Sequence, residues 1–405
     1  MKKTAVAVAV AASALGMSQF AVADFVKDSK LSLDMRNYYF AQETDGGNEG
    51  GQWGQGFRLN FQSGFTAGAV GFGVDAFGAV GYKLADHGDQ QTGMLFQRLE
   101  TADGGFESAD RLNKAGATLK ARVGKTTAYA GALRPNTPVF VANDARLLPE
   151  FVEGVLVTNQ DVAGLTLTAG HLSKWSGRDE DRWADLNWAK DEGGKGGEFS
   201  LFGADYKIVD GLTAQYYYAQ HHDVYKQHFA GLKYSAAVGA GKLGADLRYF
   251  NTDSDAQGAT TDANNLWSAL VNYSVSGHTV AVGYQKTSED YGFQRLSNSS
   301  YLISERMIGD GLMVNSDEAV TLVSYGFDFG TVGVKGLNAS IVHQMGDGGV
   351  AKVDRTETDV VVGYTVQEGQ FKGLGARLMH GMYRPDEGAD IDQTRFIVNY
   401  SIPLM

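Results

Sequence analysis

Apolar and polar residues alternate along this chain in about eighteen short segments. A strand with one greasy and one wet face has this period, because successive side chains leave opposite sides. Over 30–41, Leu31, Leu33 and Met35 share one face and Ser32, Asp34 and Arg36 the other. Over 53–65, Phe57, Leu59 and Phe61 oppose Arg58, Asn60 and Gln62. The third segment sets Val70, Phe72 and Val74 against Gly71, Gly73 and Asp75. Over 114–124, Ala117, Leu119, Ala121 and Val123 oppose Thr118, Lys120 and Arg122. The closing segment, 394–402, sets Phe396, Val398 and Tyr400 against Arg395, Ile397 and Asn399.

The connections are alternately short and long. Short turns fall near 210–211, 239–241, 276–277, 329–336 and 368–373. Long connections cover 84–113, 135–150, 174–197, 253–263, 288–316, 346–355 and 383–391. A soluble sandwich or propeller would explain the alternation but not this asymmetry. A tilted strand needs roughly 9–11 residues to cross a bilayer, and most segments have that length. The predicted fold is all-β: a transmembrane antiparallel barrel of about eighteen strands, with both termini and the short turns on the periplasmic side. Such a barrel is wide enough to hold an aqueous channel unless loops fold inward. The aromatic runs Tyr38-Tyr39-Phe40, Tyr216-Tyr217-Tyr218 and Tyr249-Phe250 are expected to serve as interfacial girdles.

The N-terminus supports export. Lys2 and Lys3 precede an apolar run from Ala5 to Gly16, and Ala21-Val22-Ala23 is a small-x-small cleavage site. Residues 1–23 therefore read as a signal peptide and 24–405 as the barrel domain. No later stretch approaches roughly 18 consecutive apolar residues, so a transmembrane helix is not expected. Five prolines and 53 glycines suit strands with tight turns. There is no cysteine, which a closed hydrogen-bonded barrel does not need. The formal charge is −12, and loss of the two signal lysines takes it to −14, a poor balance for nucleic-acid binding.

Three of the five prolines, Pro135, Pro138 and Pro149, fall in one segment, RPNTPVFVANDARLLPEFVEG. Proline cannot donate to a ladder, so 135–150 is not barrel wall. The segment is also compact and apolar. It is expected to fold into the lumen and set the narrow point.

The mature start DFVKDSKLSLDMRNYYF, followed by WGQGFRLNFQSGFT and VGFGVDAFGAVGYKL, resembles the opening of the OprD (Occ) family of substrate-specific outer-membrane porins. Pro138-Val139, then Asn143-Asp144-Ala145-Arg146-Leu147-Leu148-Pro149-Glu150, then Gly154, is similar to that family's constriction loop. The similarity spans the mature chain and is densest over 24–175. It implies a monomeric eighteen-stranded barrel, narrowed by its third, fourth and seventh external loops, in the bacterial outer membrane. It implies passive uptake of small molecules, mostly carboxylates, along a basic ladder of lumen Arg and Lys. Guanidiniums in series replace the water a carboxylate loses, and several weak sites permit exit.

Face assignment supplies the ladder candidates: Arg36, Arg58, Lys120, Arg122, Arg248, Arg377 and Arg395. Arg36, Arg377 and Arg395 should line one wall where the barrel closes. Each is alternatively neutralised by a carboxylate such as Asp34, Asp75 or Asp246. In the constriction loop, Asn143, Asp144 and Arg146 are the candidate lining groups, unless Asp144 merely pairs with Arg146. The expected partners are small organic anions, aromatic carboxylates foremost, with outer-membrane lipid and lipopolysaccharide around the barrel.

Basic amino acids are the alternative substrates, with Glu289, Asp290, Glu305 and Asp310 forming an acidic mouth. A plugged structural or adhesive barrel is the alternative of another class. His221, His222 and His228 lie close in sequence, but no further ligand is indicated, so no metal is expected. Asp253-Ser254-Asp255 with Gly258 lacks the terminal glutamate of an EF-hand. Gly71-x-Gly73 lies inside a strand and cannot open a dinucleotide site. No Gly-x-Ser-x-Gly elbow and no cysteine nucleophile is present, so neither a catalytic residue nor a cofactor is expected.

Overall fold

The computed structural model describes residues 25–47, 49–88, 94–187, 196–255, 263–288, 291–296, 300–308 and 313–405. The expected signal peptide lies outside them.

Eighteen antiparallel strands form one closed barrel. They are β1 Lys30–Thr44, β2 Gly50–Gln62, β3 Gly71–Gly88, β4 Arg111–Val123, β5 Thr126–Leu133 and β6 Phe151–Asn159. Then come β7 Leu165–Ser176, β8 Phe199–Val209, β9 Leu212–His221, β10 Tyr225–Val238, β11 Gly241–Ser254 and β12 Asn264–Val275. The wall ends with β13 His278–Thr287, β14 Ala319–Asp328, β15 Leu337–Gly346, β16 Arg355–Thr365, β17 Gly375–Pro385 and β18 Ile391–Pro403. Each strand pairs with the next, and β18 pairs with β1 from Ser32↔Pro403 to Thr44↔Ile391. Closure leaves no unpaired edge in the membrane, the condition for a spanning sheet.

Strand bounds differ modestly from the sequence reading. β2 begins and ends three residues earlier, and β3 runs on to Gly88. Apolar alternation weakens where strands rise past the lipid, so pattern alone misses those ends.

Leu59, Phe72, Leu119, Phe202, Leu247, Val282, Leu378 and Phe396 are exposed on the outer face and form the lipid band. The aromatic runs divide by parity. Tyr216 and Tyr249 are exposed, whereas Tyr38, Phe40, Tyr217 and Phe250 are buried inside. The girdle expected from whole runs is thus built from alternate members only.

The lumen is also less polar than strict alternation implied. From β7 to β12, Leu172, Phe199, Leu201, Tyr217, Phe229, Phe250 and Leu266 turn inward. Onto this wall pack Val139 and Phe140 of the third loop, Leu186 of the fourth, and Leu296 and Leu302 of the seventh. A short hairpin, Asn136–Thr137 against Phe140–Val141, shapes the third loop. The second loop folds in as well, burying Met94, Leu95 and Phe96 against Tyr38, Phe40, Leu147 and Leu148. These loops plug part of the cross-section. Burial of apolar side chains drives the plug, at about 1.5–3 kcal/mol per fully buried large residue.

Glycines make room for it. A Cβ at Gly54 would lie 2.8 Å from Leu147 Cδ2 and 2.9 Å from Phe96 Cζ, and one at Gly81 would lie 2.8 Å from Leu147 Cδ2. Gly54→Val is therefore expected to displace Leu147 and Phe96 while leaving the outer face alone. Single-channel recording should show a larger, noisier current. A current equal to wild type would mean that the wall glycines do not seat the plug.

Candidate functional site

The third loop is clasped to the wall through Asp144. Arg36 on β1 donates from Nη1 to Asp144 Oδ1 at 2.8 Å and to Arg146 O at 2.6 Å. Its Nε donates to Asn399 Oδ1 at 2.9 Å. Arg134, just past β5, reaches Asp144 Oδ2 at 2.9 Å. Burial opposes ionisation of Asp144, but the charges of Arg36 and Arg134 outweigh it and hold the carboxyl below its ordinary range. The clasp is thus fully present above an unfolded carboxyl's pKa of about 3.9 and is lost as pH falls through the lowered value. Conductance should accordingly be flat from neutral pH down to about pH 5 and change only in stronger acid; a step near neutrality would argue against this clasp.

Further ties fix the loop. Tyr38 donates to Ala145 O at 3.0 Å. Asn143 is buried, and its Oδ1 accepts from Ala145 N at 2.8 Å, so it shapes the turn. Lys114 on β4 donates to Pro149 O at 3.1 Å and to the Gly177 carbonyl, joining the third loop to the fourth.

Arg146 does not pair with Asp144, contrary to the alternative weighed from sequence. It turns the other way, with its guanidinium 5.0 Å from the centre of the Phe40 ring. Arg395 on β18 approaches the same ring at 5.5 Å and donates to the Met307 carbonyl of the seventh loop. Arg146, Arg178, Arg295, Arg306 and Arg395 line one cavity of about 230 Å³, together with Asn143, Ala145, Glu305, Met307 and Ile308. The one carboxylate among its described lining residues, Glu305, pairs with Arg295 at 3.2 Å. Arg146, Arg178, Arg306 and Arg395 have no ion-pair partner among the described residues. Burial, reinforced by the charges of Arg395 and Arg178, pushes the Arg146 pKa down. Burial does the same to Arg178 and Arg306. Arginine stays protonated regardless, so these shifts reflect the cost of burial, offset in part by the charges of Asp179 and Glu150 near Arg178 and of Asp359 and Glu357 near Arg306.

The seven ladder candidates all lie on lumen-facing positions. Four carry a carboxylate: Arg36 with Asp144, Arg58 with Asp34, Lys120 with Asp75, and Arg248 with Asp246. Arg248 is also capped by the Tyr301 carbonyl and ring of the seventh loop. Arg122 is exposed near the periplasmic turn, 4.3 Å from the Phe65 ring centre. Arg377 is exposed opposite Ile397, between the levels of Arg395↔Met379 and Gly375↔Asn399. Since Asn399 faces Arg36 and Arg395 faces Phe40, one wall carries Arg395, Arg377, Arg36 and Arg58 in descending order. Below the loop, a second space of about 400 Å³ is lined by Asp34, Arg58, Asn60, Asp75, Thr118, Tyr129 and Arg134 among others.

Sequence reasoning missed Arg134, Arg178, Arg295 and Arg306, which sit outside the barrel strands and carry no periodic signal. The apolar pairs Leu302-Ile303 and Met307-Ile308 were the available clue that the seventh loop folds inward. Of the acidic mouth, Glu305 is spent on Arg295, and Glu289, Asp290 and Asp310 lie outside the described residues. His221, His222 and His228 are not gathered together. His221 is buried and bonds Leu186 O at 2.8 Å, whereas His228 bonds the Tyr216 hydroxyl at 2.8 Å on the outer face. Asp255 pairs with Lys226, and Gly258 lies outside the described residues.

A closed barrel with inward loops and a charged constriction defines a selective diffusion channel of the outer membrane. The chain belongs to the family described as outer membrane porin, OprD family, whose profile matches residues 23–404. Porin D of Pseudomonas aeruginosa is 34% identical over 307 residues, covering 72% of this chain and 68% of that one. Porin-like protein GalP of Pseudomonas putida is 31% identical over 318 residues, 77% of each chain. Among solved structures, Pseudomonas aeruginosa OccK8 (OprE) matches with a TM-score of 0.85 at 35% identity, covering 94% of this chain and 100% of that one. Pseudomonas aeruginosa OpdK with vanillate matches with a TM-score of 0.86 at 32% identity, with the same coverage. The protein is thus a substrate-specific porin of the bacterial outer membrane.

Proposed function

We propose that this porin takes up small organic carboxylates, with aromatic acids such as benzoate-like compounds preferred. One observation carries the reading: five arginines line a single cavity in which the one carboxylate among the described residues is already paired. A desolvated carboxylate gains bidentate, charge-assisted hydrogen bonds there. The apolar flank of Met307 and Ile308 in the cavity lining offers surface to a ring. That a similar solved structure is of OpdK with vanillate, an aromatic acid, supports the same choice. The passage lies within one barrel, which supports transport by a single chain.

From the cavity, the anion descends past Arg377 and Arg36 toward Arg58. Arg36 and Arg58 hold carboxylates of their own, so each offers a shared and therefore weak contact. Weak sites in series allow release.

Uptake of labelled benzoate into proteoliposomes tests the reading, with labelled arginine as comparator. Benzoate should enter faster, and Arg377→Ala should slow it about three- to tenfold, the loss of one partly solvated charge-assisted contact. Faster entry of arginine would move the assignment to basic amino acids. No entry of either solute would favour a plugged barrel.

A further inference from the structure

The outer wall carries a group of metal-ligating side chains that transport does not use. His171 lies on β7, Glu198 immediately precedes β8, and His222 immediately follows β9. The pairing His171↔Ser200 and the bond from His222 N to Glu198 O, 3.1 Å, bring the three to one patch. Their buried neighbours Leu172, Phe199 and His221 point inward, so these three point away from the lumen. One ligand atom from each lies within 4.8 Å of the others.

We propose that His171, Glu198 and His222 bind a divalent transition-metal ion of the zinc class on the outer rim of the barrel. Two imidazoles and a carboxylate suit zinc, nickel or copper(II), whereas calcium and magnesium take oxygen shells. The rings are already oriented. Ser200 Oγ lies 3.1 Å from His171 Nδ1, which leaves His171 Nε2 facing Glu198 Oε2 at 4.0 Å. A hydrogen bond to the second imidazole nitrogen is the usual way a ligating histidine is held. Ser200 Oγ also lies 3.1 Å from His222 Nε2, so it ties both rings into the patch. Tetrahedral ligands at zinc distances lie roughly 3.4 Å apart. Both His171 and Glu198 are at least half exposed and free to close that gap by side-chain rotation. Three protein ligands leave a coordination position open to water.

The site joins three consecutive strands at the rim where the fourth and fifth loops begin. Since the patch forms only in the folded barrel, a bound ion stabilises that state by mass action. The aromatic residues Tyr216 and Tyr218 lie on the same outer face, below it along the strands.

The test uses the untagged mature chain, folded in detergent, with Zn²⁺ and Co²⁺ as probes. Titration calorimetry should give one equivalent of Zn²⁺ bound, and Co²⁺ should develop the absorption of a low-symmetry site. Bound Zn²⁺ should raise the thermal unfolding midpoint. His171→Ala and His222→Ala should each weaken Zn²⁺ binding at least about tenfold, and Glu198→Gln should weaken it by less. All three should leave single-channel conductance unchanged, which also shows that the variants fold. The proposal is overturned if wild type takes up no stoichiometric Zn²⁺ at micromolar concentration. It is equally overturned if the variant lacking both histidines binds as tightly as wild type.

Discussion

Excising residues 139–147 is expected to raise single-channel conductance about three- to tenfold, because an eighteen-stranded wall encloses a wide lumen once its plug is gone. The segment supplies Val139 and Phe140 to one apolar cluster and Leu147 to another. Its removal unpacks the second and seventh loops from two sides. The wall holds its own ladder all the way round, so closure does not depend on the loop. The same deletion removes Asp144 and frees Arg36 and Arg134. Anion preference should therefore rise with conductance, although Arg146 is also lost. Planar-bilayer recording with a salt gradient reads both quantities. Unchanged conductance would put the narrow point elsewhere.

The second large effect concerns the arginine cavity. Replacing Arg395 and Arg146 together by Ala should weaken carboxylate binding about a hundredfold, taking roughly 1.5 kcal/mol for each charge-assisted contact. The loss should appear as a higher half-saturating benzoate concentration and a reduced anion preference. Arg395 also donates to Met307 O, so the double variant should loosen the seventh loop and broaden the current distribution. Arg306→Ala serves as a control for that loosening. It removes a cavity cation whose bonds run to Ile303 and Glu305 carbonyls of its own loop, and it should cost affinity without freeing Met307. If neither variant shifts benzoate affinity, the cavity is not the binding site.

The wall was legible from the chain because a strand facing lipid on one side must repeat every two residues. That rule put Arg58, Lys120, Arg377 and Arg395 on the lumen side correctly, since a charge facing lipid costs roughly 2–4 kcal/mol at mid-depth. It misplaced the aromatic runs. A run of three aromatics carries no alternation, and burial beneath a folded loop rewards an inward Tyr38 or Tyr217 as much as lipid rewards an outward one. Proline spacing marked the third loop, but Asp144 is tied not only to Arg134 at the base of its own loop but to Arg36 on β1, 108 positions away. Pairing over such sequence separation leaves no local trace. The fourth and seventh loops hid most of the cavity's arginines for the same reason. An irregular segment shows its charges but not the direction they face.

The most direct measurement is single-channel current through the mature porin in a planar bilayer, with benzoate or arginine added to one side. A small, steady current is expected, interrupted by brief benzoate blocks that become more frequent with concentration and vanish when Arg146 and Arg395 are both Ala. Arginine should leave the current uninterrupted. Blocks by arginine with none by benzoate would contradict the account and assign the cavity to another substrate class.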